Sequence, residues 1–187
     1  EAVEVMRELW TGQVVNRHGR HYTVEDARIH TLPDGPIDVP VSAFGPKATE
    51  VAARIGDGFV TTSPDREGLA TYRELGGKGP SQAGVKVCWG PDEAAARKLA
   101  FELWRSSSVP GQLSQDLPMP SHFEQASKLV TEDMVAEKMP CGPDPERHAE
   151  VLRAYLDAGF DELYISQVGD DQEGFFRFFR NEVEPRL

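Results

Sequence analysis

The 187 residues carry 20 lysines and arginines against 31 aspartates and glutamates, a net charge of −11, with 39% hydrophobic and 27% charged positions. That balance suits one globular domain with a sizeable core, and the negative charge argues against phosphate backbones and anionic lipid as partners. No apolar run approaches the roughly 18 residues a bilayer span needs and no secretory leader opens the chain, so a cytoplasmic protein without nucleic-acid or membrane partners is expected.

The chain opens inside an apolar stripe, Val3, Met6, Leu9 and Trp10, at helical spacing and without a Ser, Thr, Asp or Asn cap before it. Two β-like runs, Gln13 to Val15 and His21 to Val24, flank Asn16-Arg17-His18-Gly19 and predict a hairpin. A Pro/Gly connection, Leu32 to Pro36, delivers a strand from Val39 to Phe44 that ends at Gly45-Pro46. Lys47 to Ile55 then reads as a helix with Ala48, Val51, Ala52 and Ile55 on its apolar face, followed by a strand at Phe59-Val60-Thr61.

A weaker helix holds Leu69, Tyr72 and Arg73, and a Gly-rich link from Gly76 to Gly84 leads to a strand from Val85 to Trp89. Pro91-Asp92-Glu93 opens a helix over Ala94 to Trp104, with proline and acids suited to a first turn. The long Pro/Gly/Ser-rich stretch Ser106 to Pro120 reads as a functional excursion or lid. Two helices follow, Ser121 to Val130 and Thr131 to Met139, the second capped by Thr131. Asp144 and Pro145 start another, with Val151, Leu152, Tyr155 and Leu156 as its apolar face and Gly159 at its end. A last strand, Glu162 to Val168, passes through Asp170-Asp171 into a helix whose Phe175, Phe176, Phe178 and Phe179 are expected to pack as core.

Four strands alternating with helices predict an α/β fold with a parallel sheet, in the manner of a (β/α)8 TIM barrel. A whole barrel needs about 250 residues, so four strands with insertions fit its C-terminal half, residues 1–187 being part of a single domain whose N-terminal half is absent. A half barrel exposes two strand edges and an apolar interior, and on that expectation the chain by itself is inactive and poorly stable. Cys88 and Cys141 lie far apart without metal-ligand spacing and read as unpaired structural thiols; the five histidines likewise form no metal pattern.

Three groups of residues carry a resemblance: Ala43-Phe44-Gly45-Pro46-Lys47-Ala48 with Gly56-Asp57-Gly58-Phe59, Leu113-Ser114-Gln115 with His122-Phe123-Glu124-Gln125, and Gly174-Phe175-Phe176-Arg177-Phe178. In order and spacing they resemble the F420-dependent oxidoreductases of the luciferase-like superfamily, in the branch related to glucose-6-phosphate dehydrogenase. The resemblance implies hydride transfer between a small organic substrate and coenzyme F420, with the deazaflavin phosphate held by main-chain groups at Phe44, Gly45, Lys47 and Ala48. A bare glycine and free amides at a helix start suit an anion, although the same residues also serve simply to end a strand and begin a helix.

The resemblance also implies substrate contacts at Thr62 and Lys138. The family's sugar-phosphate positions fall on Asp65, Ser114 and Lys138, only one of them basic, so a phosphorylated sugar is not the expected substrate. The family's acid, base and tryptophan for hydride transfer lie on early strands and have no counterpart in these residues; His122 sits in a matched segment without an assigned role. The resemblance further implies a homodimer. An FMN-dependent luciferase-like monooxygenase is the alternative enzyme, and a noncatalytic cofactor-binding protein the alternative of another class.

Overall fold

The computed structural model describes residues 1–111 and 113–187, with Gln115 described by its backbone alone. These residues divide into two units, Glu1–Val60 with Glu67–Ser81, and Thr61–Arg66 with Gln82–Leu187.

The first unit begins with α1 (Ala2–Leu9) and an antiparallel hairpin of β1 (Val15–His18) and β2 (Thr23–Ala27). The hairpin is where the sequence predicts it, but its reversal is displaced: Asn16, Arg17 and His18 are strand, and the chain turns at Gly19, whose N–H donates to Tyr22 O at 2.9 Å. Polar pairing holds these residues extended. The Asp26 N–H donates to Asn16 Oδ1 at 2.8 Å, and the Arg17 guanidinium reaches Glu4 and Glu8 of α1. The same contacts decide which side of α1 is covered. Glu1, Val5 and Glu8 share one face, the Glu1 carboxylate accepts the His21 and Tyr22 amides, and Val5 is buried while Met6 of the expected stripe is exposed.

β3 (Pro40–Ser42) pairs in parallel with β4 (Gly58–Thr61), Val41 opposite Phe59, with α2 (Pro46–Ile55) as the crossover. α2 buries Thr49 and Ala52, whereas Ala48 and Val51 of the expected apolar face are exposed, so its covered line is rotated by about one position. α3 (Arg66–Glu74) buries Leu69 and Tyr72, and the Tyr72 ring stacks on Phe59 with centroids 5.1 Å apart.

In the second unit β5 (Ser81–Val87) pairs in parallel with β6 (Glu162–Gln167), running from Gln82 opposite Glu162 to Val87 opposite Gln167. β5 starts four residues before the expected Val85, because Gln82 and Gly84 join the ladder despite their weak strand character; the Gln82 amide donates to Glu162 Oε2 at 2.7 Å. Ala83, Val85 and Val87 are buried, which leaves Gln82, Gly84 and Lys86 on the opposite face. Parallel strands joined by helical crossovers are βα units of a (β/α)8 barrel, the architecture expected from the sequence.

Beyond β5 the caps follow the sequence closely. Asp92 caps α4 (Glu93–Trp104) by accepting the Ala95 amide at 2.7 Å, and Thr131 caps α7 (Glu132–Lys138) by accepting that of Met134 at 3.3 Å. Between them the expected excursion folds in part, into a 3-10 turn at Arg105–Ser108, the short α5 (Leu113–Asp116) and α6 (Pro120–Ser127); Gln112 lies outside the described residues. α8 (Pro145–Ala158) starts at Asp144 and stops at Gly159 with φ 99°, but it buries His148, Ala149, Leu152 and Tyr155 and leaves Leu156 exposed. α9 (Gln172–Phe178) is capped by Asp171, with Phe175 and Phe178 buried and Phe176 65% exposed, so the expected four-ring core is smaller than the sequence suggests.

Cys88 and Cys141, distant in sequence, are bridged in space. The Cys88 N–H donates to Pro140 O and its carbonyl accepts from Gly142, and both thiols are free and buried. The neighbouring Cys88 thiol and burial push the Cys141 thiol far up, in keeping with a structural role.

Candidate functional site

Two pieces of local geometry carry the expected site residues, one in each unit. In the first, the Ala43 N–H donates to Val60 O at 3.0 Å, which prolongs the β3–β4 pairing one residue past Ser42 and fixes the point where the chain leaves the sheet. Phe44 follows, 65% exposed, and then Gly45 at φ 136° and ψ 165° as the N-cap of α2. That backbone region belongs to glycine. The Gly45 carbonyl accepts both the amide and the hydroxyl of Thr49, each at 3.0 Å, which locks the first turn.

Pro46 contributes no N–H, so the Lys47 and Ala48 amides are the first donors of the helix, and neither has a partner among the described residues. Gly45 has an exposed surround: a Cβ there would meet nothing within 4 Å. Glycine is therefore required by the backbone conformation, not by crowding inside the protein. Phe44, Lys47 and Ala48 are exposed and Gly45 is half-buried, so this cradle at the start of α2 is only partly covered.

The second piece is a cavity of about 170 Å³ within the second unit. Thr62, just past the end of β4, forms one side, and its carbonyl accepts the Tyr155 hydroxyl of α8 at 3.2 Å. Burial pushes the Tyr155 phenol up, which keeps it a donor. Gly84 and Lys86 enter from β5, Ser107 and Ser108 from the 3-10 turn, and Val135, Lys138 and Met139 from α7. The Lys86 ammonium lies over the Trp104 ring, 4.5 Å from its centroid.

Thr62 and Lys138 line the same cavity, whereas Asp65, Ser114 and His122 do not line it. Of the three positions that the resemblance assigns to a sugar phosphate, Lys138 alone is basic. Lys86 lies outside those three positions, and its signal is in the sequence: one charged residue between Val85 and Val87, on a strand whose alternate positions are apolar, marks a polar face.

The family model described as luciferase-like monooxygenase matches residues 1–162. The chain belongs to that family. Among curated relatives of this luciferase-like chain are the F420-dependent glucose-6-phosphate dehydrogenases of Microbacterium testaceum (strain StLB037), 31% identical over 201 residues, and Rhodococcus hoagii (strain 103S), 30% identical over 200. Both matches cover 100% of this chain and 59% of the relative. Two solved structures share its fold. An F420-dependent secondary alcohol dehydrogenase in complex with an F420-acetone adduct matches 100% of this chain and 60% of its own at TM-score 0.80 and 23% identity. The coenzyme F420 dependent tetrahydromethanopterin reductase from Methanopyrus kandleri matches 97% and 60% at TM-score 0.63 and 21% identity.

In this luciferase-like chain the cradle follows the C-terminal end of β3 and Thr62 follows that of β4, the strand ends at which barrel enzymes place their chemistry. Among the described residues no three His, Cys, Asp or Glu side chains converge as a metal site, and no helix is long and apolar enough to cross a membrane.

Proposed function

We propose that the protein is an F420-dependent oxidoreductase, in which a hydride passes between a small organic substrate and the deazaflavin. The observation that carries this reading is the cradle: a glycine-only backbone at Gly45 presenting the unpartnered amides of Lys47 and Ala48. Such amides concentrate partial positive charge where a cofactor phosphate would rest, and Lys47 adds a full charge. Relatives 30–31% identical carry F420 in their names, which favours this cofactor over FMN. When bound, the cofactor supplies the redox chemistry, and these residues bind and orient it.

On the substrate side Thr62 and Lys138 face one cavity and Tyr155 offers a protonated hydroxyl beside Thr62. Asp65 and Ser114 stand where the resemblance expects basic phosphate ligands, so the substrate we propose is not a sugar phosphate although the relatives are named for glucose 6-phosphate. A homodimeric, cytoplasmic enzyme is part of the same reading, and light scattering of the purified protein tests the dimer.

Fluorescence titration of the whole protein with F420 and with FMN tests the cofactor. Saturable F420 binding with no response to FMN is expected, and the reverse pattern replaces the reading with the monooxygenase one. Comparable turnover of glucose 6-phosphate and an unphosphorylated alcohol would overturn the substrate assignment.

A further inference from the structure

We propose that Cys88 and Cys141 are a reversible redox pair, closing to a disulfide under a peroxide and reopening under a low-molecular-weight thiol. The inference is independent of the oxidoreductase reading. Cys88 follows β5 and Cys141 follows α7, and the fold makes them directly opposed partners of a parallel bridge. The Cys88 N–H donates to Pro140 O at 2.9 Å and the Gly142 N–H to Cys88 O at 3.0 Å, which ties the backbone on both sides of Cys141. Both side chains join one apolar cluster with Ala96 and Ala100 of α4 and Val135 of α7. Neighbouring strands lie about 4.8 Å apart, inside the roughly 4.4–6.8 Å between Cα atoms that a disulfide spans but below its commonest value of about 5.5–6 Å. A bond closed across such a bridge is within reach and strained, and strain makes a disulfide reducible.

The pair is also held in register. Gly142 has φ 85°, a Cβ there would meet Glu93 Cβ at 2.8 Å, and its carbonyl lies 3.0 Å from His148 Nε2. Cys141 therefore has little freedom to leave Cys88, which raises the effective concentration of each thiol for the other. The two sulfurs differ in the way the chemistry requires. The neighbouring Cys141 thiol holds that of Cys88 below its usual pKa, whereas Cys88 and burial push that of Cys141 up, so Cys88 attacks and Cys141 keeps its proton for the second step. The Cys88 thiolate attacks one peroxide oxygen, the O–O bond breaks, and the hydroxide released takes up a proton and leaves as water. Cys141 sulfur then displaces the hydroxyl of the Cys88 sulfenic acid; the S–S bond forms, and the Cys141 proton leaves with that hydroxyl as a second water. The thiols lose two electrons and the peroxide gains them. Since both cysteines are buried, the pair packs as core when reduced and closes slowly, as local opening admits the oxidant. The bond joins the two ends of residues 89–140, the segment that carries α4 and α7.

The whole protein, treated with millimolar hydrogen peroxide for several hours and alkylated with iodoacetamide under denaturing conditions, provides the test by peptide mapping and calorimetry. A linked peptide pair joining Cys88 to Cys141 within one chain is expected, lighter by two hydrogens than its reduced parts, with a rise of about 5–10 °C in Tm. Millimolar glutathione should return both thiols and the original Tm. Cys141→Ala, its fold checked by the same calorimetry, should show no rise in Tm on peroxide treatment. Alkylation of both cysteines after treatment, a bond between chains, oxygen added to either sulfur without a link, or a Tm that fails to rise on closure overturns the proposal. Closure that glutathione does not reopen overturns its reversibility, and a Tm rise in Cys141→Ala equal to the parent's removes the pair as its cause.

Discussion

Gly45→Ala probes the cradle with the smallest possible change. At φ 136° and ψ 165° an L-residue is held in a region populated essentially by glycine, at a cost on the order of 1–3 kcal/mol. No steric term adds to this, since a Cβ at Gly45 meets nothing within 4 Å. Either the folded state keeps its conformation and loses that stability, a fall of about 2–4 °C in Tm for each kcal/mol in a chain of this size, or the backbone relaxes. Relaxation rotates the turn between Phe44 and Pro46 and displaces the Lys47 and Ala48 amides, with about a tenfold loss of F420 affinity for each 1.4 kcal/mol of lost interaction. Gly76→Ala is the matched control, since Gly76 also has positive φ, 92°, and open space where the Cβ would sit, but it follows α3. Differential scanning calorimetry and F420 fluorescence titration on both variants separate the two effects. Strain without loss of affinity at Gly76, against loss of affinity or stability at Gly45, is expected. Unchanged Tm and unchanged affinity in Gly45→Ala, or equal loss of affinity in both variants, would refute the cradle.

Burial lowers the pKa of His148, whose Nε2 lies 3.0 Å from Gly142 O, so between its folded value and the unfolded value of about 6.5 the unfolded chain binds more protons. The stability from neutral His148 is then full above about pH 6.5 and lost as pH falls toward the folded pKa, and His148→Gln should flatten the urea-melt stability between about pH 7.5 and 5.5. Tyr72 is fully buried and its hydroxyl has no partner among the described residues, so Tyr72→Phe should leave stability equal or raise it by about 1 kcal/mol in chemical denaturation. Gly79→Ala would set a Cβ 1.6 Å from the Asp57 carbonyl oxygen and should cost about 3 kcal/mol in the same assay.

Local chemistry was the legible part of the sequence. Asp92, Thr131, Asp144 and Asp171 cap helices because a short acceptor before a first turn satisfies amides within three residues, a relation that needs no knowledge of the rest of the fold. Gly159 ends α8 for the same kind of reason. Which side of a helix is covered was less legible. The apolar stripes of α1, α2 and α8 each missed a buried residue, because Val5, Thr49 and His148 are buried by what packs on them rather than by their own hydrophobicity. Thr49 satisfies its hydroxyl on Gly45 O, and His148 its ring nitrogen on Gly142 O, so both polar groups are buried at little cost. A periodicity argument cannot anticipate such partners. The start of β5 was hidden similarly, since Gln82 and Gly84 take their strand character from β6 across the ladder.

The cavity beside Thr62 shows the same distinction between local and assembled information. Thr62 and Lys138 were reachable through a resemblance that matches positions one at a time. Lys86 was not, since its role depends on the 3-10 turn and α7 being brought against one face of β5. Counting charge along matched positions therefore leaves out Lys86, which lines the cavity together with Lys138 and without an aspartate or glutamate. Lys86 differs physically from a loop lysine: it extends from a strand paired along its length with β6, and its ammonium rests on Trp104. A charge placed in this way gives up less freedom when it binds an anion than one on a mobile loop. Asp65 and Ser114 do not line the cavity, so the lack of basic residues at those two positions leaves Lys86 and Lys138 as its lining cationic residues.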